Sequence, residues 1–443
     1  MQGNISTTVS LNFNQFFLDS ININKSLSVT KLRTTSTHAN QHCPECGGKV
    51  HIYDTYNAMA KDMPGYPNSE AYLEFEYHRF RCQNCGHTFT EEKDICFPGT
   101  RVTYRAALWV ISFLALQMST KAISRITGIH WSTVRKIQNS EMHKALEERQ
   151  RQIKAAGYKP QFLAIDEFAV HKRFKYATTV LDLVTGEVIW VGKGRDRKSF
   201  FKFFEDVGLD YISDVKAVAM DMNASYNDLV SAFMSHSAIV YDRFHMQAQY
   251  GRDVLGSVRL EEANSHLESA KSKRAESKRT ADRELKFELK KLAEKEQKKY
   301  RALKNQRWSL LRDGNSLKDR QKDKLEAILS SHENLAICYA MKEEMCRLFT
   351  LNDIDDAQKG WEDWFEAALA SGISQLVKFA KNKRKRIEGL VAHAKFPIST
   401  GKLEGLNNKI KVAKRIAYGY TDDDDFFNLI KYLTLPGVRR FTC

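Results

Sequence analysis

Apolar residues change their spacing several times along the chain, and each change predicts a different kind of element. Tyr72 to Phe80 alternates apolar and polar positions, the two-residue period of a strand, among the turn residues Gly47, Gly48, Pro64, Gly65 and Pro67. This predicts a small β-rich module over residues 41–98. From 101 to 155, Ile, Leu and Ala recur at helical spacing with no internal proline, which predicts helices. Within them, Ala106–Met118 reads as a buried helix, since Ser112 and Gln117 interrupt it and it falls short of the ~18 apolar residues of a membrane span. Beyond Pro160 come short apolar runs separated by turns: FLAIDEFAV (162–170), YATTVLDLV (176–184), EVIWVG (187–192), VKAVAMD (215–221) and SAIVYD (237–242). Residues 160–254 therefore read as a mixed α/β sheet, with helices at Ser199–Val207 and Ser225–Met234. From 255 to 390 the strand pattern gives way to Lys, Arg, Glu, Ala and Leu at helical spacing, an all-helical insertion. The last segment, 391–443, carries strong helix signals from Ile398 onward. Residues 1–40 are polar and low in charge, with Phe13, Phe16, Phe17, Leu18 and Ile21 as apolar exceptions, and read as a flexible arm.

Composition narrows the choice of function. At 443 residues the chain has room for two to four domains, and its 42% hydrophobic and 11% aromatic content excludes general disorder. The 69 Lys and Arg outnumber the 54 Asp and Glu, a formal charge of +15 that favours a polyanionic partner. The excess is concentrated between Lys271 and Glu326, with 20 basic and 10 acidic residues. No membrane partner is expected, and the N-terminus lacks the basic, then apolar, order of a secretory signal, so a cytoplasmic location is expected.

Eight cysteines in a reducing compartment point to metal binding or free thiols before disulfides. Four fall in two Cys-x-x-Cys pairs, Cys43/Cys46 and Cys82/Cys85, with 35 residues between the pairs and Gly47 and Gly86 directly after them. A two-residue gap turns both thiolates of a pair inward, and two such knuckles make a tetrahedral site for one structural Zn2+. His42, His51 and His87 are read as surface residues, and Cys96, Cys338, Cys346 and Cys443 as core or incidental thiols.

Residues 119–138 have the pattern of a helix-turn-helix. Ala122, Ile123 and Ile126 share a face of a short helix, Gly128 permits a turn, and a second helix from Trp131 buries Val134 and Ile137. Trp131, Ser132, Thr133, Arg135 and Lys136 are then candidate contacts to bases and phosphates of duplex DNA.

The acids suggest chemistry. Asp166 lies inside an otherwise apolar strand, where a carboxylate is expensive to bury unless it meets a cation. Asp221 closes VKAVAMD at a strand's C-terminal end, where sheet-based sites form. Glu404 belongs to a helix whose core face is Leu403, Leu406, Ile410, Ala413 and Ala417, and it shares a second stripe with Asn408, Lys411 and Arg415, further candidate DNA contacts. Three such carboxylates suit two Mg2+ or Mn2+ ions. Glu167 and Asp242 compete for the ligand roles, although alternation turns Glu167 to the opposite sheet face from Asp166; His245 is either a phosphate-orienting or a packing residue, and Asp422–Asp425 reads as a solvated loop or helix start.

The segments AIDEFAVHK, MDMNASY, VYDRFH, RWSLL and PISTGKLEGLNNKIKVAKRIAYGY resemble the DDE transposases of bacterial insertion sequences, specifically the ISL3 group, and the resemblance runs from the first knuckle to Phe426. It implies an RNase H-like catalytic domain split into 160–254 and 391–443 by the helical insertion, with Asp166, Asp221 and Glu404 as the catalytic acids. It also implies an N-terminal zinc module, a helix-turn-helix, a magnesium requirement, recognition of terminal inverted repeats, strand cleavage and transfer into target DNA, and work as a homodimer or higher oligomer. The competing expectation is a catalytically inactive DNA-binding regulator derived from such an enzyme.

Overall fold

A computed structural model describes residues 16–23, 27–34, 41–63, 70–91, 95–116, 118–171, 175–312, 317–416 and 422–436. The fold is mixed α+β and divides into two compact units, one of 1–157 with 409–443 and the other of 158–408. Among the described residues no helix is long and apolar enough to cross a membrane.

The first unit contains a sheet of order β1-β2-β4-β3, with β5 on the free end of β4. The strands are β1 (Phe16–Ile23), β2 (Leu27–Thr34), β3 (Val50–Asp62), β4 (Glu70–Cys82) and β5 (Thr88–Thr90). Residues 1–40, read as an arm, thus contribute two strands: β1 pairs antiparallel with β2, and β2 lies parallel to Glu70–Phe75 of β4. Unpaired backbone along β4 offers an edge that a polar segment can complete without a core of its own. Phe13 and Cys443 lie outside the described residues. Along β4 the buried positions switch from Ala71, Leu73 and Phe75 to His78, Phe80 and Cys82, so the two ends of the strand bury opposite faces. One end packs with Ala60 and Ile95; the other delivers Cys82 to the cysteine cluster.

Three helices follow: α1 (Tyr104–Ala115), α2 (Thr120–Thr127) and α3 (Trp131–Ala155). Their core is Phe97, Val102, Ala106, Ala107, Val110, Ile123, Ile129, Val134 and Ile137. Thr103 and Ser119 cap α1 and α2 by accepting the N–H groups of Ala106 and Ala122, and Gly128 ends α2 at φ 66°, a conformation that suits glycine. Two expectations change here. Helix α1 is buried on one face only, with Leu108 62% exposed, and Ile126 of α2 is half exposed, because the single turn to α3 covers only the Ile123 side.

In the second unit the sheet order is β10-β9-β6-β7-β8. Strands β6 (Phe162–His171), β7 (Lys175–Asp182) and β8 (Val188–Lys193) form an antiparallel meander; β9 (Ala217–Met220) runs parallel to β6, and β10 (Ala238–Tyr241) parallel to β9. Helices α4 (Arg197–Val207) and α5 (Ala224–Phe233) cover one face with Phe200, Phe203, Phe204, Tyr226 and Leu229. Helix α6 (Arg243–Tyr250) runs through a π-helical turn, Gly251–Leu255, into α7 (Gly256–Arg279). Then come α8 (Arg283–Asn305), α9 (Arg307–Leu311), α10 (Asp319–Leu329), α11 (Glu333–Leu348), α12 (Ile354–Ala370), α13 (Ser374–Arg384) and α14 (Ile387–Lys395) around a core with Tyr250, Trp361, Trp364, Phe365 and Phe379. Helix α14 meets β10 closely: a methyl group on Gly389 would stand 2.3 Å from the Tyr241 ring.

Helix α15 (Gly401–Ile416) begins in this unit, and α16 (Asp423–Tyr432) belongs to the first. Leu429 and Leu433 pack on Met142 of α3, because the apolar side of α16 matches that exposed stretch of a 25-residue helix.

Candidate active site

Strand register brings the acids together. Ala164 of β6 pairs with Ala219 of β9, and Met220 of β9 pairs with Tyr241 of β10. Continuing both parallel registers sets Asp166, in the middle of β6, side by side with Asp221 and Asp242, which directly follow the C-terminal ends of β9 and β10, where a site is expected in such a sheet. The chain turns into α6 at Asp242, and one helical turn brings His245 over the two other aspartates. His245 Nδ1 is 3.5 Å from Asp221 Oδ2, and its Nε2 is 4.0 Å from Asp166 Oδ1.

The three aspartates differ in environment. Asp166 is largely buried, and its donors are its neighbour Glu167 N–H at 2.8 Å and the Asn407 amide at 2.9 Å. Burial pushes its carboxyl up to about 6, against the Glu167 N–H and the His245 charge, which favour the anion. Asp221 is half exposed. Burial acts against its charged form, but the His245 ring and the Met222 N–H outweigh it and hold the carboxyl below its ordinary value. The hydrogen bond and charge of Asp221 in turn raise His245 to about 9. Asp242, only 1% exposed, faces backbone instead: Oδ1 accepts the N–H groups of Phe244 and His245 at 2.8 and 3.2 Å, and Oδ2 accepts Thr400 N–H at 2.8 Å. Its oxygens are committed to capping α6 and to the start of α15, where Thr400 accepts the first helical N–H groups from Leu403 and Glu404.

Glu404 is on the exposed side of α15, and Asn407, one turn later, donates to Asp166. Among the described residues the Glu404 carboxylate does not join Asp166 and Asp221 within 4.8 Å, the spread within which the four cysteines lie. Asn407 was not anticipated; the helical stripe had pointed to its neighbour Asn408. Glu167 accepts the Asn223 amide at 3.1 Å and lies 3.6 Å from Arg195, which gives it partners of its own. Two cations also escaped the sequence reading because they sit in the run NKRKR, which looks like solvated surface. Lys383 is buried and donates to Gln249 at 2.5 Å and to the Met222 sulfur at 3.2 Å, and Arg386 donates to the Met222 carbonyl. They fix the loop after Asp221 from the helical side and bring positive charge to it; burial keeps the Lys383 ammonium below its usual value.

The second centre is the cysteine cluster. The Sγ atoms of Cys43 and Cys85, Cys46 and Cys82, and Cys46 and Cys85 are 3.6, 3.5 and 3.4 Å apart. Thiolates bound tetrahedrally at about 2.3 Å stand roughly 3.8 Å apart, so the set fits a single zinc-sized ion. Both knuckles have the same backbone: Gly47 N–H bonds Cys43 O, Gly86 N–H bonds Cys82 O, and both glycines have φ near 70°, at 67° and 73°.

At the α2–α3 turn, Trp131 and Ser132 are exposed at the start of α3 and Thr133 is half-buried. Arg135 and Lys136 are engaged within the unit. The Arg135 guanidinium pairs with Asp425 at 2.6 Å, where Asn139 adds a bond of 2.9 Å, and Lys136 donates to Gly99 O at 2.7 Å. Asp425 is therefore not a solvated acid: α16 packs on α3 and sets it against that helix. Asp422, by contrast, caps α16, accepting the N–H groups of Asp424 and Asp425. Lys411 and Arg415 are exposed on the second half of α15.

The sequence profile of a transposase family matches residues 163–430. The transposase for insertion sequence element IS1001 of Bordetella parapertussis is 31% identical over 399 residues, covering 90% of this chain and 89% of its own. The transposase for insertion sequence element IS1557 of Mycobacterium tuberculosis H37Rv is 25% identical over 406 residues, covering 90% and 86%.

Proposed function

The chain belongs to the ISL3 group of DDE transposases, and from that premise we propose that it binds the terminal inverted repeats of its insertion sequence and catalyses metal-dependent strand cleavage and strand transfer. The observation that carries this reading is the pairing of Asp166 and Asp221 on adjacent parallel strands with His245 between them. DNA binding alone gives no reason to keep a carboxylate in an apolar strand, with its charged form disfavoured, beside a second acid.

The donor set fits a hard divalent cation: carboxylate oxygens, one pair of them on a largely buried carboxyl whose charged form burial disfavours. Asp166 and Asp221 would hold Mg2+ or Mn2+, with Glu404 completing the set from α15. When bound, such ions lower the pKa of a water or 3′-hydroxyl and stabilise charge on the departing oxygen. The chain's own residues position and tune. Asn407 orients Asp166, His245 bridges the two aspartates and can hold a proton there, and Lys383 and Arg386 fix the Asp221 loop. In this reading the five-stranded sheet of 158–408 is an RNase H-like domain, and α7–α14 is its insertion.

Helices α2 and α3 act as a helix-turn-helix, entering a major groove with Trp131, Ser132 and Thr133 first, while Arg135 and Lys136 exchange their internal partners for phosphates. Asn408, Lys411 and Arg415 would extend DNA contact along α15. The cysteines would hold one structural Zn2+, and paired DNA ends imply a homodimer or larger assembly.

The test is strand cleavage of a supercoiled plasmid carrying this gene with its native flanks, with magnesium, comparing the wild type and Asp166→Ala. Cleavage at two inverted sites by the wild type only supports the reading. DNA binding without cleavage under any divalent metal replaces it with the regulator.

A further inference from the structure

We propose that the α7–α8 hairpin is a second duplex-DNA surface, one that grips the phosphate backbone without reading sequence; the inference rests on the transposase reading and assigns part of its DNA contact. The two helices, of 24 and 23 residues, pack as an antiparallel pair about 35 Å long. Helix α8 turns Leu289, Ala293 and Leu303 inward. On the opposite side, at spacings of four, four and three, stand Phe287, Lys291, Lys295 and Lys298, with Arg283, Lys290 and Arg301 beside them.

A solvated helical face normally interleaves its charges in even numbers as i, i+4 pairs. This one holds the exposed acids Glu284, Glu288 and Glu294 as well, Glu294 four residues from both Lys290 and Lys298, but the cations outnumber them. Between Lys271 and Lys304 there are fourteen cations and six acids. Among the described residues, only Lys271 and Lys299 of those cations lie within ion-pair distance of a carboxylate, on Glu268 at 2.8 Å and Glu296 at 3.7 Å. Two of the six acids have other work: Asp282 caps α8 through the N–H groups of Glu284 and Leu285, and Glu296 accepts from His266. The charge is also polarised along the hairpin. The first part of α7 carries Glu261, Glu262 and Glu268, whereas Lys271, Lys273, Arg274, Lys278 and Arg279 lead to the turn.

Beside that turn two apolar side chains face solvent, Phe287 at 70% and Leu285 at 42% exposure. Exposed apolar groups set among cations are unfavourable in water, but against DNA they meet sugars and groove walls, where such groups wedge. Duplex DNA carries one charge per about 1.7 Å of axis and matches a straight cationic stripe whatever its sequence. Strand transfer brings in a second duplex besides the element's own ends, and a cationic stripe can hold that duplex by its backbone.

The experiment uses the full-length protein carrying K291Q/K295Q/K298Q. Affinity for a 30-base-pair duplex of random sequence is measured by fluorescence anisotropy from 50 to 200 mM salt, with circular dichroism as a check on folding. The three side chains are exposed or half-exposed and point away from the packed face, so the spectrum should not change. Each lost phosphate contact lowers the slope of log K against log salt by about 0.9, so the expected drop is about 2 to 3, with at least about a tenfold loss of affinity at 100 mM. The K291R/K295R/K298R protein, which keeps the charge, should bind as the wild type does. Preference for the element's own ends over random duplex should not fall in the Gln variant. An unchanged slope with affinity within twofold of the wild type overturns the hairpin proposal and leaves the transposase reading standing. A wild type that binds no duplex DNA, own ends included, overturns both.

Discussion

Replacing Asp242 separates a structural aspartate from the two proposed to be catalytic. All three stand on one line across neighbouring strands, but Asp242 spends its oxygens on three backbone N–H groups. In Asp242→Ala the two bonds at the start of α6 disappear, a cap loss of about 0.5–2 kcal/mol. The third leaves the N–H of fully buried Thr400 without its acceptor, about 1–3 kcal/mol more. Relief of a buried charge returns part of this, so a net loss of about 2–4 kcal/mol is expected. Urea unfolding followed by circular dichroism measures it, with Asp242→Asn, which keeps one acceptor oxygen, expected near half. Asp166→Asn should behave oppositely: it removes a carboxylate whose charge burial disfavours, so stability should hold or rise while cleavage is lost. An Asp242→Ala protein as stable as the wild type but inactive would refute this division and return Asp242 to the candidate metal ligands.

Further outcomes follow from the same packing. Asp425→Asn should lower stability by about 1 kcal/mol, since the ion pair with Arg135 is partly exposed. Burial raises the Asp425 carboxyl, but Arg135 and Asn139 outweigh it and hold it below its usual value. The contribution is thus complete above pH about 4 and is lost as pH falls through the depressed folded value, which acid titration of wild type against variant will detect. Gly389→Ala pushes a methyl group into the Tyr241 ring and should cost about 1–3 kcal/mol, read as a lower urea midpoint; an unchanged midpoint would mean that α14 can move off β10 freely. Cys43→Ser should abolish bound zinc, measured by elemental analysis, and loosen 41–98 to proteolysis; full zinc content in that variant would remove Cys43 from the ligand set.

Much of the site's neighbourhood was legible in the sequence because its elements are short and locally specified. The apolar runs from Phe162 to Tyr241 correspond to the five strands of the second sheet, and Asp166 and Asp221 were read at the strand positions they occupy. The Cys-x-x-Cys-Gly spacing determined both knuckles, since each is closed by a hydrogen bond four residues long. Helical period placed Val134 and Ile137 in the core, but it overassigned Ile126 and the outer face of α1, because a period states which residues share a face and not whether another element covers it.

What remained hidden depends on pairs far apart in the chain. Asn407 reaches Asp166 across 241 positions, Asp242 holds Thr400 across 158, and Arg135 meets Asp425 across 290. No local pattern distinguishes Asn407 from Asn408, or a capping aspartate from one with free oxygens. Such choices are made only when packing fixes how a helix is rotated against its neighbours. The sequence by itself determined the strands of the second sheet, the two cysteine knuckles and the strand positions of Asp166 and Asp221, through short-range hydrogen bonding and hydrophobic period. The tertiary structure alone decided which polar groups face one another, because each buried donor must find an acceptor wherever the fold brings one within reach.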